Sequence, residues 1–318
     1  MRLPWLVASV TLLVPLLPAW AGTPVMINTG QRLDRWGESL AVLGDMALVQ
    51  VDEQLEGDLN ADGDAQDSFA GLWRDGAVTV TSVPVVAPYA TTVGGRFALV
   101  VYEYSYGFDL NGDRDLGDAV VVTLATNGTW TSTGLAAPFG IAAADGLALL
   151  AVSEAQQGAR DLNGDGDALD DVLHSYDTVG GSVRNLGLAV DYRLTGTPRI
   201  QNVWFNRQVA FVAVSEEVLG DRNGDGDGLD HMLVRVVLSS GAATVYPYAI
   251  HQSTWAGSTP SWEPHGALGR PADPDEPCRL FASTIGFLVS EGADGRDHNT
   301  DGDLLDRVVY RVRSNGTA

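Results

Sequence analysis

Asp161-Leu-Asn163-Gly-Asp165-Gly166-Asp167-Ala-Leu-Asp170 places oxygen-bearing side chains at loop positions 1, 3, 5, 7 and 10, with glycine at position 6. Alternate residues of a tight loop aim several oxygens inward, glycine permits the sharp turn, and a Ca²⁺ ion takes six to eight oxygens. Four aspartates packed this closely repel one another unless a cation lies between them. The pattern recurs four times more: Asp58, Asn60, Asp62, Asp64 and Asp67; Asp109, Asn111, Asp113, Asp115 and Asp118; Asp221, Asn223, Asp225, Asp227 and Asp230; Asp297, Asn299, Asp301, Asp303 and Asp306. Solvated acidic turns would vary their acids and positions. Every copy here reads Asp, Asn, Asp, Asp, Asp, so the residues predict about five bound Ca²⁺ ions.

Each loop follows an apolar run ending in glutamate: 46–53, 96–103, 147–154, 208–216 and 285–291. Two residues before each of Glu53, Glu103, Glu154, Glu216 and Glu291 stands a valine, which a strand's period of two places on the same face. The glutamate leaves the buried row where the loop begins. It either turns back as a further ligand or caps the strand end, and its separation from loop position 1 varies from five to seven residues (53 to 58, 154 to 161). Position 6 of the second loop is Arg114 instead of glycine, so that loop is expected to be the weakest.

A recurring unit surrounds each loop. In the clearest copy, strands at 139–144 and 147–153 flank an Asp145-Gly146 turn, the acidic loop follows, and strands at 172–177 and 182–190 flank Gly180-Gly181. The same plan gives strands at 39–43, 46–51, 68–73 and 77–83; at 89–93, 97–102, 119–125 and 129–135; at 200–205, 209–214, 232–238 and 243–249; and at 279–283, 285–290 and 307–312. Loop starts are 51, 52, 60 and 76 residues apart (58, 109, 161, 221, 297). A period near 50 with four short strands predicts an all-β fold, a β-propeller of about five four-stranded blades with a calcium loop between the second and third strand of each. The blades are 39–85, 89–136, 139–191, 199–249 and 278–312, with an insertion at 250–277. The fifth unit lacks a fourth strand. Either an isolated strand at 24–29 closes the ring, or the chain is part of a longer propeller.

The formal charge is −22, from 41 acids against 19 arginines and no lysine. The loops and their glutamates hold twenty-five of those acids, so much of the excess is ligand. The arginines form no cluster, which argues against a nucleic-acid partner. Residues 1–21, with Arg2, an apolar run and Ala19-Trp-Ala21, read as a cleaved signal peptide, too short and proline-interrupted for a membrane span. That places the mature chain (22–318) in the periplasm, at the cell surface or outside the cell. Cys278 is the one cysteine, so no internal disulfide framework exists.

The loops resemble the calcium loops of integrin-α-type (FG-GAP-like) repeat propellers, and are similar to the EF-hand-like loops of dockerins and thrombospondin type 3 repeats. They depart from the integrin pattern in placing the last Asp at position 10 with an extra Asp at 7, and from the EF-hand in lacking Glu at 12, where Val172 stands in the third copy. The resemblance implies a calcium-stabilised binding or scaffold module; the alternative is a secreted hydrolase or lyase with its site in a propeller funnel. No nucleophile elbow, zinc motif or phosphate loop is present, and the five histidines occupy no common repeat position. Trp255 and Trp262, with Tyr246 and Tyr248, either contact a protein or carbohydrate ligand or pack the insertion onto the fourth blade.

Overall fold

The computed structural model describes residues 41–59, 63–85, 90–138, 141–190, 203–250, 278–281 and 284–313. The signal peptide, the strand at 24–29 and residues 251–277 of the insertion lie outside the described residues. Within them the chain is all-β, in antiparallel sheets formed by consecutive strands. The first sheet holds β1 (Ala41–Leu43), β2 (Met46–Asp52), β3 (Ser68–Arg74) and β4 (Ala77–Pro84). The second holds β5 (Ala90–Val93), β6 (Arg96–Tyr102), β7 (Ala119–Ala125) and β8 (Trp130–Ala136), and the third β9 (Ile141–Ala144), β10 (Leu147–Ser153), β11 (Asp171–Asp177) and β12 (Ser182–Val190). The fourth has β13 (Val203–Phe205), β14 (Val209–Ser215), β15 (His231–Val237) and β16 (Ala243–Ala249); the fifth has β17 (Cys278–Phe281), β18 (Thr284–Ser290) and β19 (Arg307–Arg313). Where the flanks are described, these ends lie within one residue of those expected from the sequence.

Continuous apolar runs make the second strands because both faces of each sheet are covered. In β6, Phe97, Leu99 and Val101 pack with Leu48, Leu72 and Val83 of the first sheet. The alternate residues Ala98 and Val100 pack with Leu150 and Val152 of the third. β10 turns Leu147, Leu149 and Ala151 onto Val212 and Val234 of the fourth sheet. In β14, Val209 and Phe211 face Phe287, Val289 and Val312 of the fifth. Four core clusters therefore lie between consecutive sheets in chain order. The first strands β1, β5 and β9 are neighbours along one border.

This stacking sets the loops' position. Each acidic loop joins the second strand of its sheet to the third (β2–β3, β6–β7, β10–β11, β14–β15, β18–β19), so all five share one edge of the stack. The hairpin turns between first and second strands lie on the opposite edge. Tyr246 and Tyr248, considered above as a ligand surface, pack against the fourth–fifth core; Tyr248 rests on Tyr310 at 4.9 Å between ring centroids. Among the described residues no helix is long and apolar enough to cross a membrane.

Candidate metal centre

Each glutamate is anchored by the last rung of a strand ladder. Its N–H donates to the carbonyl of loop position 10: Glu53 to Asp67 (2.9 Å), Glu103 to Asp118 (3.0 Å), Glu154 to Asp170 (2.9 Å), Glu216 to Asp230 (2.8 Å) and Glu291 to Asp306 (3.1 Å). The glutamate and the position-10 aspartate are thus held side by side whatever the length between them. The variable spacing is taken up by a helical turn: α1 (Glu53–Glu56), α2 (Glu103–Tyr106), α3 (Glu216–Leu219) and α4 (Glu291–Asp294), with hydrogen-bonded turns after Glu154 in the third copy. These turns were not visible in the sequence, being too short to show a helical period. All five glutamates are buried, none more than 1% exposed, and so are the valines two residues earlier.

The structure brings most of the expected ligands together. One carboxylate oxygen from each of Glu103, Asp113, Asp115 and Asp118 lies within 4.8 Å of the others. The same holds for Glu216, Asp225, Asp227 and Asp230, for Glu291, Asp301, Asp303 and Asp306, and for Glu154, Asp167 and Asp170. In the first loop Asn60 and Asp62 lie outside the described residues. Glu53 there accepts N–H bonds from Leu59 (2.7 Å) and Asp67 (3.2 Å), and Asp64 from Gln66 (2.9 Å).

Position 1 turns back on its own loop. Asp109, Asp161, Asp221 and Asp297 are not among the converging oxygens; their carboxylates close the turn on itself. Asp161 accepts from Gly164 N–H (2.6 Å) and Gly166 N–H (3.0 Å), and Asp221 from Gly224 (2.6 Å) and Gly226 (3.2 Å). Asp58 accepts from Gly63 (3.1 Å). The position-3 asparagine accepts the position-5 N–H and donates its amide into the cluster: Asn163 to Asp170 Oδ2 (2.7 Å), Asn299 to Asp306 Oδ2 (2.6 Å).

Position 6 has positive φ in every copy, as the glycines required: 101° at Gly63, 104° at Gly166, 99° at Gly226, 97° at Gly302, and 84° at Arg114. Position 4 needs it too, being glycine at φ 83° in the second loop but Thr300 at φ 64° in the fifth. Side chains with a Cβ cost on the order of 1 kcal/mol in this region, more when β-branched. Arg114→Gly and Thr300→Gly are each expected to raise stability by about 1 kcal/mol; a denaturant midpoint unmoved by either would mean that the strain is relieved elsewhere.

The cluster is electrostatically strained without a cation. Burial, then the neighbouring Asp113 carboxyl, pushes Asp118 up to about 7. Burial, then the Asp225 charge, raises Asp230 to about 7. Burial also raises Glu103. Glu103 Oε1 accepts N–H bonds from Leu110 (2.5 Å) and Asn111 (3.1 Å), but its Oε2 is buried with no hydrogen-bond partner among the described residues. The same holds for Glu216 Oε2 and Glu291 Oε2. In the third loop, Glu154 Oε2 instead accepts from Asp170 N–H (3.1 Å).

Beside the fifth loop, buried Asp294 accepts from Ala249 N–H (2.9 Å) and pairs with His298 Nε2 (2.5 Å), whose Nδ1 meets Tyr310 OH (2.9 Å). Every member of this relay is engaged, and it ties the end of the fourth sheet to the fifth. His174 is buried in β11, with Nδ1–H donating to Val172 carbonyl (2.9 Å), and burial depresses its pKa.

No family model matches the chain, and no curated protein does. Solved structures do. The chain is similar to the β-propeller domain of the trilobed protease from Pyrococcus furiosus, described as having an open velcro topology, at 8% identity and TM-score 0.40, covering 86% of this chain and 82% of that one. It is also similar to a HIRA fragment at 10% identity and TM-score 0.35 (65% of this chain, 51% of that one), and to a GH74 xyloglucanase from Xanthomonas campestris at 10% and 0.34 (91% and 39%). The chain thus spans about half the length of the HIRA fragment.

Proposed function

We propose that this chain is a calcium-loaded β-propeller of five blades that acts outside the cytoplasm as a binding or scaffold module, with one structural Ca²⁺ in each acidic loop. The observation that carries the reading is the set of unpartnered oxygens on buried Glu103, Glu216 and Glu291, each among three aspartates. A buried carboxylate oxygen without a donor costs about 1–3 kcal/mol or more, and crowded carboxylates add repulsion. A divalent cation relieves both. All donors are oxygen, with no cysteine or histidine in the clusters, which suits Ca²⁺ over zinc or copper. In this reading the glutamate, positions 5, 7 and 10 and the position-3 amide oxygen are the ligands, joined by the position-1 carboxylate, which also shapes the turn. The stacking of sheets in chain order supports the propeller, whose incomplete fifth blade segment 24–29 would complete.

The test is calorimetric titration of Ca²⁺ into chelator-stripped protein. About five ions per chain are expected, with proton release near pH 7 from the raised aspartates. A stoichiometry of zero or one would refute the reading.

A further inference from the structure

Among the described residues, two of the loops receive a group from the neighbouring sheet that no sequence motif marks. In the second loop, Asn111 Nδ2 lies 2.9 Å from Asp118 Oδ2, 3.4 Å from Asp113 Oδ2 and 2.7 Å from the main-chain carbonyl of Gln156, which belongs to the third sheet's turn after Glu154. An amide NH₂ has two hydrogens, so three oxygens around it are more than it can serve. In the fourth loop, Asn223 Nδ2 lies 3.0 Å from Asp230 Oδ2 and 3.5 Å from the carbonyl of Ala293, in the fifth sheet's α4. Gln156 and Ala293 are equivalent: each stands two residues after its sheet's buried glutamate.

The turns that carry these carbonyls are docked. Gln156 Oε1 accepts from Ala119 N–H (3.2 Å), and Gln157 bridges Ala136 N–H (2.8 Å) and the Gly134 carbonyl (3.0 Å), all on the second sheet. Across the fourth–fifth boundary, Arg296 Nη2 donates to the Asn223 carbonyl and Asp294 accepts from Ala249. The approach leaves no room for a Cβ at Gly158 and brings one at Gly295 into van der Waals contact. A methyl group added at Gly158 would lie 2.9 Å from Asp113 Cβ, and one at Gly295 3.4 Å from Asp225 Cβ. The equivalent glycine facing the third loop, Gly220, has nothing within 4 Å of such a methyl. Among the described residues no hydrogen bond reaches the third loop's residues 161–170 from the fourth sheet.

We propose that the second and fourth cation sites are completed across a sheet boundary, by the main-chain carbonyls of Gln156 and Ala293, whereas the third is built within its own sheet. This rests on the loops binding Ca²⁺. The unpartnered oxygens of Glu103 and Glu216 lie in these two loops, with that of Glu291 in the fifth, while Glu154 of the self-contained third has both oxygens bonded. Asn111 Oδ1 and Asn223 Oδ1 each accept the position-5 N–H (3.1 Å) and keep a second lone pair that would face an ion. A small rotation of the amide about that bond would free the carbonyl it holds to join the coordination shell. The second and fourth ions then fasten adjacent sheets, and their affinity depends on the docking of the next sheet.

Gly158 and Gly220 offer a paired test, since both have positive φ (75° and 73°) and each follows its own glutamate by four residues. Both variants strain a backbone at positive φ, Gly220 at a ψ of 166° that only glycine ordinarily adopts, but only Gly158→Ala also pushes the 155–160 turn off the second loop. Calcium titration of the full chain should show one site weakened at least tenfold in Gly158→Ala beyond any change in Gly220→Ala. A second measurement is hydrogen exchange in saturating Ca²⁺. Asp118→Asn, which disables the second site, should speed exchange at 155–160 at least tenfold, whereas Asp170→Asn should leave 217–220 protected. Equal titrations for the two glycine variants, or unchanged exchange at 155–160, would overturn the inference while leaving calcium binding intact. A wild-type chain that takes up no Ca²⁺ would remove both.

Discussion

Stripping calcium is expected to lower the melting temperature by well over 10 °C and to open the loops to proteases. Binding to the folded state stabilises by about 2.7 kcal/mol per site at a hundredfold excess of ligand over Kd. Five such sites amount to on the order of 13 kcal/mol, similar to the whole stability of a typical domain at about 5–15 kcal/mol. Residual affinity of the unfolded acidic segments reduces the figure, so a 10 °C drop is a lower bound for a chain this long, where 1 kcal/mol corresponds to roughly 2–4 °C. Cleavage should concentrate in Asp58–Asp67 and the four equivalent stretches, because apolar clusters hold the strands on either side.

The pH dependence separates the two forms. In the metal-free chain Asp118 and Asp230 titrate at about 7 when folded, against 3.8 as the ordinary value. A raised folded pKa means that stability is full below the ordinary value and is lost as pH rises through the folded one. The metal-free protein should therefore melt higher at about pH 5 than at about pH 8. The loaded protein should do the reverse, since protons compete with Ca²⁺ for the same oxygens. Thermal scans with and without chelator at both pH values check this. Parallel pH trends would mean that the carboxylates are not the binding groups.

The second large effect belongs to the buried glutamates. Glu216→Gln keeps an oxygen for the N–H groups of Arg222 (2.5 Å) and Asn223 (3.1 Å) and places an NH₂ where the unpartnered oxygen stood, facing Asp225, Asp227 and Asp230. In chelator the variant should be more stable than wild type by about 1–3 kcal/mol, the cost of the unsatisfied acceptor it removes. In Ca²⁺ it should lose one ion and be the less stable of the two. Glu154→Gln provides the contrast. Both Glu154 oxygens accept main-chain N–H bonds, from Leu162 (2.5 Å) and Asp170 (3.1 Å), so an amide there opposes one donor with another. That variant should be destabilised with or without calcium. If Glu216→Gln is neutral in both conditions, the glutamate is only a cap on the strand end.

The capping and ligand readings of the glutamate, left open by the sequence, turn out to be compatible. In the second, fourth and fifth copies one oxygen caps the loop's main chain and the other faces the aspartates. Spacing obscured this because distance along the chain from Glu to position 1 was the wrong measure. The constant relation runs across the ladder, from each glutamate N–H to the position-10 carbonyl, and cross-strand pairing leaves no trace in linear spacing.

The sequence by itself determined the strands, the order of the sheets' elements and the oxygen-rich loops between them. Period-two burial, turn residues and an invariant Asp-x-Asn-x-Asp-x-Asp-x-x-Asp frame are local properties, set within ten or so residues. It also marked position 6 as needing positive φ, which Arg114 adopts at 84°. Only the tertiary structure decided which carboxylates converge, that position 1 turns back on its own loop, and that Gln156 and Ala293 reach into loops 45 and 70 residues away from them in the chain. Those contacts arise from two sheets stacked face to face. A main-chain carbonyl carries no residue type, so its role as a partner group is fixed by packing and cannot be written in the sequence.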